Sequence, residues 1–195
     1  MTAVAAKRFT IAEYHRLGEL GFFEPHDRVE LIRGEIVLLP QNTTFHSDCY
    51  ANLVDSLVIL LGDRALVRGQ QPIILYGESE TVPDAVVARN RADDYLASTP
   101  EPADILLVVE IAGATLSYAQ REKLSVYAED GISDYWILNL VDRCLEIYHD
   151  PYQDNQGRFG YRLKRIVLPH ETVGMLCFPD FSLDLSRIFP AQDDV

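Results

Sequence analysis

One segment constrains this chain more than any other: Ile105-Leu106-Leu107-Val108-Val109-Glu110-Ile111. It is strongly apolar, rich in β-branched residues and too short for a helix of ordinary length. It is predicted as a central strand buried on both faces. A carboxylate inside such a run is costly unless it is paired, protonated or bound to a cation. Glu110 therefore either reaches solvent at the strand end or belongs to a site. The small residues after it, Ala112-Gly113-Ala114, leave the strand exit open for a ligand.

The surrounding pattern sets the fold class. Thr10-Ile11-Ala12-Glu13 has capping-box spacing and predicts a short helix over Ile11–Leu17. Two apolar runs, Arg28–Ile32 and Glu35–Leu39, flank Arg33-Gly34 and predict a hairpin with Gly34 at positive φ. A helix is expected from Thr44 to Leu61, with His46, Cys49, Leu53, Leu57 and Leu60 on one face and Gly62 as its stop. Short strands are expected at Ala65–Gly69, Pro72–Tyr76 and Val82–Ala88, followed by a polar loop over Asn90–Pro102. Ser117-Tyr118-Ala119-Gln120 reads as a second capping box, opening a helix that runs to Asp130 and stops at Gly131. Strands at Asp134–Leu140, Cys144–His149 and Gly160–Val167, with a short one including Met175–Phe178, complete an α/β fold: one domain over residues 1–195, a mixed β-sheet flanked by helices.

Composition narrows the class further. A chain of 195 residues suits one compact domain, and its apolar fraction of 48% is ordinary for a globular protein. Cys49, Cys144 and Cys177 are odd in number and widely spaced, which argues against a disulfide framework or a zinc ribbon and fits a reducing compartment. The N-terminal stretch lacks an export pattern and no apolar run could cross a bilayer, so a cytoplasmic location is expected. Thirty acids against seventeen bases give a net charge of −13, part of it in Glu78-Ser79-Glu80 and Asp193-Asp194. That balance weighs against avid, unassisted DNA binding, because phosphate neutralisation supplies such affinity.

Two further residues give Glu110 a chemical context. Pro83-Asp84 places an acid beside a residue with no ladder donor, at a strand edge; alone, Asp84 reads as a turn acid. Lys123 flanks the apolar stripe Leu124, Tyr127, Ala128 on the second helix. Alone, it reads as a lysine covering apolar surface with its stem. Together the three suit phosphodiester cleavage, which needs charge stabilised on phosphate oxygens and a water made nucleophilic. Hard cations do both, carboxylates hold them, and an ammonium nearby can orient the water or stabilise the pentavalent phosphate.

The chain resembles the Uma-type (Uma-two) family of restriction-endonuclease-like proteins, within the PD-(D/E)XK nuclease superfamily. The matching stretches are Glu30-Leu31-Ile32-Arg33-Gly34-Glu35-Ile36-Val37, His46, Pro83-Asp84, Val108-Val109-Glu110-Ile111, Lys123-Leu124, Tyr127-Ala128, Gly131-Ile132 and Tyr135-Trp136-Ile137, across roughly residues 10–150. The resemblance implies an endonuclease-like fold, Asp84 and Glu110 as ligands to Mg²⁺ or Mn²⁺, and Lys123 as the catalytic lysine. It also implies Glu30 as an additional acid near the site and His46 as a neighbour. The superfamily lysine normally stands two residues after the Glu; Ala112 occupies that position here, so Lys123 would replace it from the helix. Gly113-Ala114-Thr115 departs from the family's Ser-Pro-Ser-like turn and removes a hydroxyl at Gly113.

The remaining candidates have plainer readings. Strand alternation sets Glu30 opposite Val29 and Leu31, facing solvent. His46 reads as a hydrogen-bonded core or helix-start histidine, and Trp136 and Tyr127 as packing, Tyr127 with a hydroxyl bond to the site. His15, His26, His149 and His170 show no ligand spacing. The sequence thus predicts a Mg²⁺-dependent endonuclease acting on DNA, a homodimer by base rate, with Asp84, Glu110, Lys123 and Glu30 as its working residues. A non-catalytic interaction module keeping the same fold is the alternative, favoured by the charge and by Gly113.

Overall fold

The computed structural model describes residues 5–190. Residues 1–4, part of the stretch read for export, and the acidic pair Asp193-Asp194 lie outside them. Helix α1 (Ile11–Glu19) starts on the predicted capping box: Glu13 N–H donates to Thr10 Oγ1 at 3.1 Å, and Thr10 N–H donates to Glu13 Oε2 at 2.9 Å. Strands β1 (Arg28–Ile32) and β2 (Glu35–Leu39) form the predicted hairpin. Both turn residues are left-handed, Arg33 at φ 47° and Gly34 at φ 77°, a conformation whose twist suits antiparallel strands. A Cβ on Gly34 would lie 2.8 Å from Arg8 Cβ and 2.9 Å from the Phe9 carbonyl oxygen, so glycine is needed there for space as well as for φ. Arg33 is held in its less usual conformation by bonds from its guanidinium to Glu129 at 2.6 Å and Ser125 Oγ at 3.0 Å.

Helix α2 (Thr44–Leu61) has the predicted bounds and ends at Gly62, at φ 52°. Its buried stripe is His46, Cys49, Leu53, Leu57 and Leu61. The last position corrects Leu60, because a four-residue step from Leu57 keeps to the face that Cys49 and Leu53 set. Each buried leucine contributes about 1.5–3 kcal/mol.

The next strands are β3 (Leu66–Gly69), β4 (Ile73–Leu75), β5 (Ser79–Thr81) and β6 (Ala85–Ala88). The strand expected over Val82–Ala88 is present only as β6, and the unexpected β5 just before it belongs to a different sheet. β5 pairs with β1 and β4, whereas β6 pairs with β3 and the central strand β7 (Ile105–Ala112). Pro83, which has no N–H to give a ladder, sits in the crossing between them. Asp84 is the last residue of that crossing.

After β7 the chain forms α3 (Leu116–Tyr118), a π-helical turn (Ala119–Lys123) and α4 (Leu124–Glu129), with Gly131 at φ 73° after it. The predicted helix is present, but its capping box is not. Ser117 lies inside the first turn, Thr115 precedes it without a side-chain cap, and Gln120 points elsewhere. Strands β8 (Asp134–Asn139), β9 (Cys144–Gln153), β10 (Phe159–Val167), β11 (Thr172–Met175) and β12 (Phe178–Asp184) follow. Met175 and Phe178 pair across a tight turn, so the short strand expected there is the tip of a hairpin.

The six-stranded sheet runs β10-β9-β8-β7-β6-β3 and is mixed, with β7 and β8 parallel. A second, four-stranded sheet, β2-β1-β5-β4, and the β11-β12 pair accompany it. One face of the large sheet, through Leu107, Val109, Ile111, Trp136 and Leu138, packs on α2 and the C-terminal hairpin. The opposite face, through Val86, Val108, Tyr135 and Ile137, packs on Ile32, Ile73 and Leu75 of the small sheet and on Val126 and Tyr127 of α4. Trp136 is wholly buried, as predicted. Cys49 and Cys144 are buried, Cys177 is exposed, and all three are free thiols. Among the described residues no helix is long and apolar enough to cross a membrane.

Candidate active site

Side chains alternate along a strand, so Glu110 shares a face with Val108 and Ala112, the face of β7 that looks toward the small sheet. Glu30 stands two residues before Ile32 on β1 and faces the same layer. Its burial, with 1% exposure, overturns the solvent-facing reading. The reason is that β1 is an inner strand of its sheet, and Ile32 rather than Leu31 marks the side toward the large sheet. Asp84 and Glu110 lie at the same end of the neighbouring strands β6 and β7, where Ala85 pairs with Val109.

Lys123 joins two of these acids. Its ammonium donates to Glu30 Oε1 and to Glu110 Oε1, both at 2.8 Å, and only 2% of the residue is exposed. It is not a lysine spread over surface. The π-helical turn that carries it is the local cause: one extra residue in the turn re-aims the side chain inward, as such turns often do at functional positions. Gln120 in the same turn donates to buried Glu146 at 2.8 Å, and Tyr135 Oη donates to the Ala119 carbonyl at 3.0 Å. Both bonds tie the turn to the sheet.

Further groups complete the cluster. Tyr127 Oη donates to Glu110 Oε1 at 2.6 Å, as the sequence suggested. Val82 N–H donates to Glu30 Oε1 at 2.9 Å, and Ile111 N–H donates to Asp84 Oδ2 at 2.8 Å. Tyr118, which the sequence reading did not single out, donates to Glu30 Oε2 at 3.3 Å, and its ring lies 5.9 Å from the Lys123 nitrogen. Five residues separate Tyr118 from Lys123, a spacing that ordinary α-helical periodicity would send to different faces. His46 is buried beside Asp84 but does not fit the hydrogen-bonded reading. Its Nε2 lies 3.2 Å from Asp84 Oδ1 without the alignment of a hydrogen bond, and neither ring nitrogen has a partner among the described residues.

The charges do not balance locally. Glu30, Asp84 and Glu110 bring three carboxylates to one ammonium. Burial would push Lys123 down, but Glu110 and Glu30 outweigh it and hold the ammonium's pKa above its usual value. Burial pushes Glu110 up to about 7, with Glu30 and Asp84 adding to the rise against Lys123. Burial also pushes Asp84 upward, but His46, the Ile111 N–H and Lys123 bring it below the ordinary carboxylate value.

Two carboxylate oxygens remain without a strong partner. Glu110 spends Oε1 on both Lys123 and Tyr127, and Oε2 takes no hydrogen bond among the described residues. Asp84 Oδ1 has only the misaligned His46 and a long 3.4 Å contact from Gln70 Nε2. Asp84, Glu110 and Lys123 line one narrow crevice, and Asp84 also borders an open cleft of about 550 Å³. Among the described residues no three His, Cys, Asp or Glu side chains form a ready-made cation cage. Two carboxylate oxygens without a strong partner, one of them bordering the open cleft, are the kind of hard donors that Mg²⁺ takes, since it is held by one or two carboxylates.

Known proteins carry the same fold and pattern. The Uma2 family model, described as "Putative restriction endonuclease", matches residues 11–186. No curated protein matches the sequence. The crystal structure of "a putative nuclease belonging to DUF820" from Anabaena variabilis ATCC 29413 is similar, with a TM-score of 0.71 at 16% identity, covering 93% of this chain and 97% of that one. At that identity the likeness is one of fold. The chain belongs to the Uma2 family and has the fold of a restriction-endonuclease-like protein.

Proposed function

We propose that the chain is a metal-dependent endonuclease that hydrolyses DNA phosphodiester bonds. It acts as a single endonuclease-like domain and a homodimer in the cytoplasm, where Mg²⁺ is the ordinary cation and Mn²⁺ a substitute. The observation that carries this reading is the convergence of Glu30, Asp84, Glu110 and Lys123 from four separate stretches of chain onto one buried, net-negative cluster beside a cleft. Family membership supports the nuclease class.

In this reading Asp84 Oδ1 and Glu110 Oε2 hold the cation. When bound, such a cation supplies positive charge at the phosphate oxygens and makes water acidic enough to attack at neutral pH. Lys123, flanked by two carboxylates at 2.8 Å, stays protonated, so its one remaining N–H is donated to the attacking water or the phosphate and it does not act as a base. Glu30 fixes the lysine from the other side, and Tyr127 directs Glu110. Alanine at Glu110 should abolish Mg²⁺-dependent plasmid cleavage; undiminished cleavage by a clean preparation of that variant would sink the idea.

The second reading is a non-catalytic interaction module that retains the fold. The absence of a cage of three donors among the described residues and the net charge of −13 favour it. In that case the cluster is a structural ion network. The two readings part on divalent-cation binding at Asp84, which the first requires and the second does not.

A further inference from the structure

We infer that Arg28 binds a phosphate of the DNA strand in the cleft beside Asp84, an inference that rests on the nuclease reading. Arg28 opens β1, two residues before Glu30, and therefore lies on the same face of that strand. Glu30 is buried and Arg28 is half-buried, so the strand leads from the ion cluster out to the cleft mouth. Arg28 borders three adjoining spaces: the 550 Å³ cleft, the crevice of Asp84, Glu110 and Lys123, and a small hollow beside His46. Lys123, on the crevice wall, spends two of its three N–H donors on carboxylates.

Arg28 is differently placed. Its guanidinium gives one hydrogen bond, to the Pro40 carbonyl at 2.7 Å, and no carboxylate among the described residues lies within ion-pairing distance. A guanidinium has five N–H donors in a planar fork that suits phosphate oxygens. One bond to Pro40 orients the fork and leaves donors free. Asn42 and Gln70 stand on the same cleft wall as neutral amides, able to meet sugar or base atoms without adding charge.

The cleft also contains Asp27, Glu30 and Asp84, so one guanidinium does not make it basic. A phosphate held by Arg28 alone would face net repulsion, and a divalent cation at Asp84 and Glu110 would cancel it. DNA binding should therefore strengthen with a divalent cation, and Arg28 should account for one phosphate contact.

The test is fluorescence anisotropy of a labelled DNA duplex against monovalent salt, at constant Ca²⁺, a hard oxygen-seeking cation of the same charge. Wild type is compared with Arg28→Ala and Arg28→Lys, each checked for folding by circular dichroism. We expect Arg28→Ala to bind roughly ten- to hundredfold more weakly. Its slope of log affinity against log salt should be shallower by about 1, with Arg28→Lys recovering most of the slope. An unchanged slope and affinity in a folded Arg28→Ala overturns the inference. Wild-type plasmid cleavage, measured separately, tests the nuclease reading. Cleavage with an unchanged Arg28→Ala slope removes Arg28 alone, binding with the expected slope but no cleavage removes the nuclease alone, and neither binding nor cleavage removes both.

Discussion

Asp84 Oδ2 accepts the backbone N–H of Ile111 at 2.8 Å. Through this one bond a residue in a sheet crossing is fixed against the residue that follows Glu110. Two carboxylates far apart in sequence are thereby set side by side, each with an oxygen left over. Burial would favour the neutral form of the acid, and this main-chain donor, after His46 and together with Lys123, helps hold it below its ordinary value.

Lys123 should carry much of the stability of this layer. Lys123→Met keeps the stem but leaves Glu30 and Glu110 buried without their cation. Breaking a buried pair from one side costs about 3–5 kcal/mol, readable by urea unfolding without divalent ions. A loss below about 1 kcal/mol, the size of a surface pair, would contradict the buried geometry.

Tyr127 ties α4 to the same acid. Tyr127→Phe preserves the ring packing and removes the bond to Glu110 and a 3.2 Å contact with Thr81 Oγ1, together worth about 1–3 kcal/mol. We expect that loss in unfolding free energy, together with reduced cleavage. A variant as stable and active as wild type would mean that the hydroxyl does not orient Glu110.

The π-helical turn should depend on its anchor. Gln120→Leu removes one of several donors to buried Glu146, which keeps Asn139, Tyr148 and Lys164, so the cost should be about 0.5–1.5 kcal/mol. Amide exchange in Ala119–Lys123 should quicken selectively, because the turn loses a tie to the sheet. Exchange unchanged in that segment would show that the turn is held by Tyr135 and packing instead.

Asp130 gives a pH signature away from the cluster. Burial pushes its carboxyl up to about 6, with Glu129 adding to the rise against the Tyr76 N–H bond. Between its ordinary value of 3.8 and about 6, the folded state binds more proton than the unfolded chain, so this group's stabilisation is present at low pH and is lost as pH rises through that window. The unfolding free energy of wild type minus that of Asp130→Asn should fall over the same window and be flat on either side. A difference that stays constant with pH would contradict the assignment.

Much of the fold was legible because its signals were local. The hairpin at Arg33-Gly34, helix α2, the central strand and the Gly131 stop each follow from periodicity and turn chemistry within a few residues. What escaped was set by long-range contact. Glu30 lies inward because its strand is covered by another sheet, which alternation along β1 alone does not reveal. The strand expected over Val82–Ala88 starts only at Ala85 because the chain is crossing between sheets over Val82-Pro83-Asp84. Gln120 bonds Glu146 on β9 in place of a cap, a contact made by packing of the turn on the sheet and not written in local spacing. The meeting of Asp84, Glu110 and Lys123 was anticipated through the family pattern. Tyr118 was missed because its place beside Lys123 depends on a π-helical turn with no reliable sequence signature.

The cation site is the centre of this description, and calorimetric titration of Mn²⁺ into the purified protein addresses it most directly. We expect saturable binding by wild type, lost in Asp84→Asn and in Glu110→Gln while both variants remain folded. Equal binding by wild type and Asp84→Asn, or no binding by wild type, would contradict the assignment of Asp84 and Glu110 as metal ligands.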